Sequence, residues 1–131
     1  ALATAAYLRD VMLEKKVRGS YCTGGMTQYL VQMQHEGCFE SLMDVQCFDL
    51  QAVEGLRTNP NHREISAAQY AAPGTRGSLV DNLSAVVLGA TEIDTQFNVN
   101  VHTDSSGVIM GGSGGHSDAA LRSRRARAAR R

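Results

Sequence analysis

The chain has 131 residues, 43% of them apolar, with 13 Lys and Arg against 13 Asp and Glu. That size fits one globular domain, but the zero net charge is uneven: Arg122, Arg124, Arg125, Arg127, Arg130 and Arg131 lie in the last ten positions, which leaves residues 1–121 at minus six. No apolar stretch reaches the length of a membrane span and no signal peptide opens the chain; Cys22, Cys38 and Cys47, odd in number and without CxxC spacing, argue against a disulfide framework and a structural zinc site.

These features predict a cytoplasmic protein with buried thiols. Because the sequence begins without methionine, inside a helical pattern, its true start is expected upstream. Residues 2–14 place Leu2, Ala5, Ala6, Leu8, Val11, Met12 and Leu13 mainly on one side of a helix, with Arg9, Asp10 and Glu14 opposite. A short strand is expected over Val17–Cys22. Thr23-Gly24-Gly25-Met26-Thr27 then leads into a helix to about Glu36, marked by Met26, Tyr29, Leu30 and Met33 and stopped by Gly37. A glycine turn between a strand and a helix presents N–H groups that can bind an anion.

Leu42–Phe48 reads as the next strand, Asp49 as the cap of a short helix to about Leu56, and Thr58–His62 as a loop. Ile65–Tyr70 fits either helix or strand, and Ala71–Gly77 is a loop. The run Ser84–Ala90, with Val86, Val87 and Leu88, predicts a central strand covered on both faces. Phe97–His102 alternates, with Phe97, Val99 and Val101 inward and Asn98, Asn100 and His102 outward. Asp104–Gly107 turns the chain into Val108, Ile109 and Met110, read as a buried strand end. The expected class is α/β with a mostly parallel sheet, in a domain over 1–120 followed by a basic, disordered tail over 121–131.

After Met110 come Gly111, Gly112, Gly114 and Gly115, four glycines in five positions, followed by His116 and Asp118. Without Cβ atoms the backbone can take positive φ and bring its N–H groups close to an anion or a developing oxyanion; the alternative is a surface turn. His35, His62 and His102 make no metal pattern in the sequence, so no metal is expected.

Two stretches carry a family resemblance: Leu88-Gly89-Ala90-Thr91-Glu92-Ile93-Asp94-Thr95-Gln96-Phe97-Asn98-Val99-Asn100-Val101, and Gly111-Gly112-Ser113-Gly114-Gly115-His116-Ser117-Asp118. Together with Thr23–Thr27, Asp44–Asp49 and Ile65–Ala71, in one register from Leu2 to Asp118, they resemble the citrate lyase alpha subunits, a family of citrate CoA-transferases. The resemblance implies an open α/β sheet of the CoA-transferase type, here as an incomplete domain, since such subunits extend beyond both ends of this segment and lack its Arg-rich tail.

It further implies that citrate replaces acetate on the thioester arm of an acyl carrier protein, and that a separate citryl lyase subunit then cleaves the product. No tightly bound cofactor is implied; the arm, of the dephospho-CoA type, belongs to the carrier protein, or acetyl-CoA takes its place. In the broader CoA-transferase fold, enzymes that use a glutamate nucleophile carry Ser-Glu-Asn-Gly where this chain has Cys47-Phe48-Asp49-Leu50. The resemblance therefore implies transfer through a ternary complex and a free mixed anhydride.

On that basis Glu92, Gly114, Gly115 and His116 are the catalytic candidates, and Gly24, Gly25, Gln46, Asp49, Asn98, Asn100, Gly111 and Gly112 the substrate-binding ones. Glu92 would orient substrate, act as a nucleophile or simply form an ion pair; Asn98 and Asn100 would hold a carboxylate or face solvent; His116 would donate to citrate or fix its loop. The other readings are an inactive remnant, a module whose basic tail contacts nucleic acid, a glutamate-dependent transferase and a sugar-phosphate isomerase. Nucleic acid ranks well below the transferase because no aromatic residue is interleaved with the arginines, and no membrane partner is expected.

Overall fold

The computed structural model describes residues 2–72, 74, 76–112 and 114–122. The chain forms two compact units, 1–79 and 80–131. The first runs α1 (Leu2–Lys15), β1 (Gly19–Thr23), α2 (Gln28–His35), β2 (Phe39–Asp44), α3 (Leu50–Thr58), β3 (His62–Glu64) and α4 (Ala67–Ala71). Its strands form a parallel sheet in the order β1-β2-β3, so each helix between strands is a crossover to the next neighbour.

The middle strand carries the core. Phe39, Leu42 and Asp44 of β2 are buried, and Met12 of α1, Leu30, Val31 and Met33 of α2 and Ala52 of α3 join the same cluster. Burying a Leu or Met side chain fully is worth about 1.5–3 kcal/mol, so this cluster dominates the unit's stability. Tyr21 of β1 packs its ring on Phe39 with centroids 5.0 Å apart.

Helix ends follow local chemistry. Gly37, at φ 90°, closes α2 as expected: its N–H donates to Gln34 O and the Cys38 N–H to Met33 O, each at 2.9 Å. Lys16, at φ 52°, holds the equivalent place after α1. The stretch Ile65–Tyr70, ambiguous in sequence, resolves into α4 because Ser66 and Gln69 cap each other's backbone.

Two strand assignments shift. The expected strand Leu42–Phe48 lies at Phe39–Asp44 instead, because the chain turns after Asp44. The polar triplet His62-Arg63-Glu64, at the end of a predicted loop, is the third strand: its register pairs Leu42 with His62 and Asp44 with Glu64.

An ion pair ties α1 to the end of α2. Arg9 Nη2 lies 2.9 Å from Glu36 Oε1, and Arg9 Nε bonds the other oxygen. Hydrogen bonds from Arg9, then Gln32, hold the Glu36 carboxyl below the usual carboxylate range. A lowered folded value means that the pair stabilises above the ordinary carboxylate pKa of about 4 and is lost as pH falls through the Glu36 value. Arg9→Met is therefore expected to flatten the acid limb of the pH–stability curve in urea unfolding. Superimposable acid limbs would rule out a stabilising pair.

A 3-10 turn at Leu79–Asn82 spans the boundary, and the second unit contains the antiparallel pair β4 (Glu92–Ile93) and β5 (Val99–Asn100), and α5 (His116–Arg122). Three expectations fail here. Ser84–Ala90 is not a strand, and Val87 is 64% exposed. Phe97, expected inward, is 86% exposed, and only Val99–Asn100 of its predicted strand is paired. Val108, Ile109 and Met110 are also exposed, not a buried strand end. No helix among the described residues is long and apolar enough to cross a membrane. The predicted disorder of the basic tail concerns residues that, beyond Arg122, lie outside those described.

Candidate functional site

In the first unit the loops that follow β1 and β2 lie side by side at the carboxyl ends of the parallel strands, where open α/β sheets place ligands. The Met26 N–H donates to Gln46 O and the Phe48 N–H to Met26 O, both at 2.8 Å. The Gly25 N–H reaches Thr23 Oγ1 at 3.3 Å. The glycine pair permits close approach rather than positive φ: a Cβ built on Gly25 would sit 2.1 Å from the Phe48 ring, whereas beside Gly24 there is open space.

Asp49 takes both helix starts. Its Oδ1 accepts from the Ala52 N–H, capping α3 as expected, and its Oδ2 accepts from the Gln28 N–H at the start of α2, each at 2.8 Å. Thr27, the residue preceding α2, makes no side-chain cap, so Asp49 performs that role from the neighbouring loop. Of the donors expected to meet a ligand here, those of Gly25, Met26 and Gln28 thus have partners within the fold. Gln46 lends its backbone carbonyl to the loop and is itself exposed.

Beneath these loops lies a cluster that sequence reading missed. Asp44, the last residue of β2, His62, the first of β3, and Cys47 in the loop between them place one ligating atom each within 4.8 Å of the others. Asp44 Oδ2 is 2.9 Å from His62 Nε2 and 3.6 Å from Cys47 Sγ. The Asp44 and His62 side chains are both 0% exposed. Asp44 Oδ1 and His62 Nδ1 have no hydrogen-bond partner among the described residues. Burial, then the Asp44 charge, pushes the Cys47 thiol up to about 11. The Asp-x-x-Cys spacing was visible in the sequence, but only strand pairing brings His62 to it.

In the second unit, two turns of the same design flank β5. Asp94 Oδ1 accepts from the N–H groups of Gln96 and Asn98, and the Phe97 N–H donates to Asp94 O. Asp104 Oδ1 accepts from the N–H groups of Ser106 and Val108, and the Gly107 N–H donates to Asp104 O. Gly107 has φ 79°, and Phe97, at the same place in the first turn, has φ 62°. The left-handed conformation costs a residue with a Cβ about 1–2 kcal/mol. Phe97→Gly is accordingly expected to slow amide exchange at Thr91 and Asp94, whose N–H groups bond across this hairpin; faster exchange would mean that the ring stabilises the turn.

Both asparagine side chains bond to carboxylates of the unit itself. Asn98 Nδ2 donates to Asp94 Oδ2 at 2.7 Å. Asn100 Nδ2 donates to Glu92 Oε2 at 3.1 Å and to Thr103 Oγ1 at 3.0 Å, while Ser105 Oγ donates to Glu92 Oε1. Both oxygens of Glu92 are thus engaged by neutral donors, in place of an ion pair among the described residues.

His116 begins α5, and its Nε2 lies 2.7 Å from Gly89 O. A carbonyl can only accept, so Nε2 carries the proton, and the ring ties the glycine loop back to residue 89. Gly111 and Gly112 are exposed with nothing near a built Cβ, and Gly114 has φ 49°. Gly115 O accepts from the Ala119 N–H at 2.9 Å in the first turn of α5. His116 and the glycines therefore form one loop with Gly89, and Glu92, Asn100, Thr103 and Ser105 a separate bonded group.

The family model of the citrate lyase alpha subunit, CitF, matches residues 1–128. The chain belongs to that family. Among curated relatives, the citrate lyase alpha chain of Escherichia coli (strain K12) is 50% identical over 123 residues, covering 94% of this chain and 24% of its own length. The Klebsiella pneumoniae citrate lyase alpha chain is 46% identical over 120 residues, with 92% and 24% covered. A crystal structure described as the alpha subunit of citrate lyase in complex with citrate, from Streptococcus mutans, matches with a TM-score of 0.84 at 41% identity over 93% of this chain and 24% of that one. This member of the citrate lyase alpha family thus spans about a quarter of the length of those relatives. Its α/β architecture, with a parallel sheet, is of the CoA-transferase type.

Proposed function

We propose that this segment forms part of the acyl-exchange site of a citrate CoA-transferase, in which citrate displaces acetate from a thioester carried by an acyl carrier protein in the citrate lyase complex. The observation that carries the reading is the 41% identity, over 93% of this chain, to a subunit crystallised with citrate. On this reading the protein works in the cytoplasm beside the carrier and citryl lyase subunits, and the thioester arm of dephospho-CoA type, or acetyl-CoA, is delivered to it.

The chemistry suits glycine loops better than a charged nucleophile. Citrate is already ionised at neutral pH and a thiolate leaves readily, so attack on the thioester requires no general base. What it requires is alignment of the two acyl groups, donors for the oxyanion, and exclusion of water from the mixed anhydride. The exposed glycines Gly111, Gly112 and Gly114 supply backbone free of Cβ atoms for that purpose, and His116, which follows them, bonds to Gly89. Glu92, with both oxygens accepting from Asn100 and Ser105, orients rather than attacks, which favours transfer without an enzyme thioester.

The test is to graft residues 2–118 in place of the matching segment of the Escherichia coli alpha chain and assay entry of labelled acetate into the acetyl carrier thioester. Exchange is expected, inhibited by citrate and untouched by borohydride added with the thioester. In the graft, Gly112→Ala should leave stability within about 0.5 kcal/mol, because its Cβ meets open space, yet slow exchange on the order of 100-fold if the loop donates to the oxyanion. A folded graft that exchanges nothing would reject the assignment; borohydride inactivation with a mass change at Glu92 would make the reaction covalent.

A further inference from the structure

Asp44, Cys47 and His62 belong to the first unit and are none of the residues invoked for acyl exchange. We propose that they form a binding site for one divalent cation of the zinc class, held by Asp44 Oδ2, Cys47 Sγ and His62 Nε2 with a fourth position left to water.

The geometry is close to what such an ion needs. Zinc bonds of roughly 2.0–2.2 Å to oxygen, 2.0–2.1 Å to nitrogen and 2.3 Å to sulfur, set tetrahedrally, put oxygen about 3.6 Å from sulfur and about 3.4 Å from nitrogen. The observed separations from Asp44 Oδ2 are 3.6 Å to Cys47 Sγ and 2.9 Å to His62 Nε2, and all three ligating atoms lie within 4.8 Å of one another, so the ion enters as the carboxylate and imidazole part and the Cys47 side chain turns toward them. One oxygen, one sulfur and one imidazole nitrogen select zinc, cobalt or ferrous iron over magnesium or calcium, which require oxygen ligands.

Burial supplies a second argument. A carboxylate 0% exposed is stable only when its charge is compensated, yet Asp44 shares a single oxygen between a neutral thiol and an imidazole while Oδ1 has no partner among the described residues. A cation supplies that charge. The fold also holds the imidazole in position, since β3 fixes the His62 backbone. His62 Nδ1 lies 3.3 Å from where a Cβ on Gly55 would stand, so glycine there leaves room for the ring against α3. Cys47 is only partly buried, which places the open fourth position on its side of the cluster. On binding, the Cys47 thiol proton leaves to solvent as the thiolate–metal bond forms, so affinity rises with pH.

The probe is Co(II), added anaerobically to the reduced, full 131-residue chain. One equivalent should bind, with a thiolate-to-cobalt charge-transfer band in the near ultraviolet and intense tetrahedral d–d bands, and Zn(II) should bleach both. Cys47→Ser should abolish the charge-transfer band and weaken binding at least ~100-fold, more than loss of a supporting residue costs. Cys22→Ser should change neither, because Cys22 pairs with Met43, on the opposite face of the sheet from Asp44. A folded wild-type chain that shows no band, or a band that survives Cys47→Ser, would overturn the site. Neither result touches the acyl-exchange reading, which the graft tests separately.

Discussion

Asp44→Ala should lower the stability of the first unit by about 1–3 kcal/mol, the cost of leaving the buried groups that hydrogen-bond to it without a partner. The substitution leaves the His62 Nε2, 0% exposed, without the acceptor that lies 2.9 Å away, and removes the acceptor of the Cys47 thiol. Asp44→Asn keeps an amide oxygen in place and should recover most of the loss without metal, while weakening the proposed cation site by withdrawing its charge. Urea unfolding of the three proteins in the presence of a chelator isolates the structural part. A loss under about 1 kcal/mol for the alanine variant would mean that solvent reaches the pair.

The second large effect is expected at Asp49. Its two oxygens accept from the Gln28 and Ala52 N–H groups, one at the start of each of two helices. A single capping residue is worth about 0.5–2 kcal/mol, and a hydrogen bond to a charged group about 1.5–3 kcal/mol, so Asp49→Ala should cost about 2–4 kcal/mol. Asp49→Asn has one accepting oxygen and should fall near the midpoint. Thermal unfolding checks the order wild type, Asn, Ala; equal losses for both variants would show that the negative charge, and not the second oxygen, carries the effect.

What the sequence made legible is what short-range chemistry decides. Gly37 stops α2, Asp49 caps α3, and the turn beginning at Asp104 follows from an aspartate three residues before a glycine. The family was legible too, from glycine and asparagine spacings. The double duty of Asp49 was not, because its second helix begins 21 residues away and only the juxtaposed loops reveal it.

Longer-range features were misread for related reasons. The Leu42–Phe48 frame placed a charged residue inside a strand, whereas the chain ends the strand on that residue and buries it. His62-Arg63-Glu64 is too polar to announce a strand, and its burial at His62 comes from pairing with β2, not from composition. In the second unit, Val86–Leu88 has strand-like composition without strand pairing, and Val108–Met110 pairs with His102–Asp104 yet stays exposed, since apolar character specifies burial only where a covering surface exists.

The strand order β1-β2-β3 also bears on how the chain acquires its structure. Spatial neighbours in this sheet are sequence neighbours, so closing each crossover brings together segments separated by few residues, and the entropic cost of each closure is small. A polypeptide leaving the ribosome amino terminus first can dock β2 on β1 once Asp44 has emerged, with α1 and α2 already available to cover it. The strand that brings His62 to Asp44 is the last of the three to emerge, so the buried cluster can assemble only after β1 and β2 have been made.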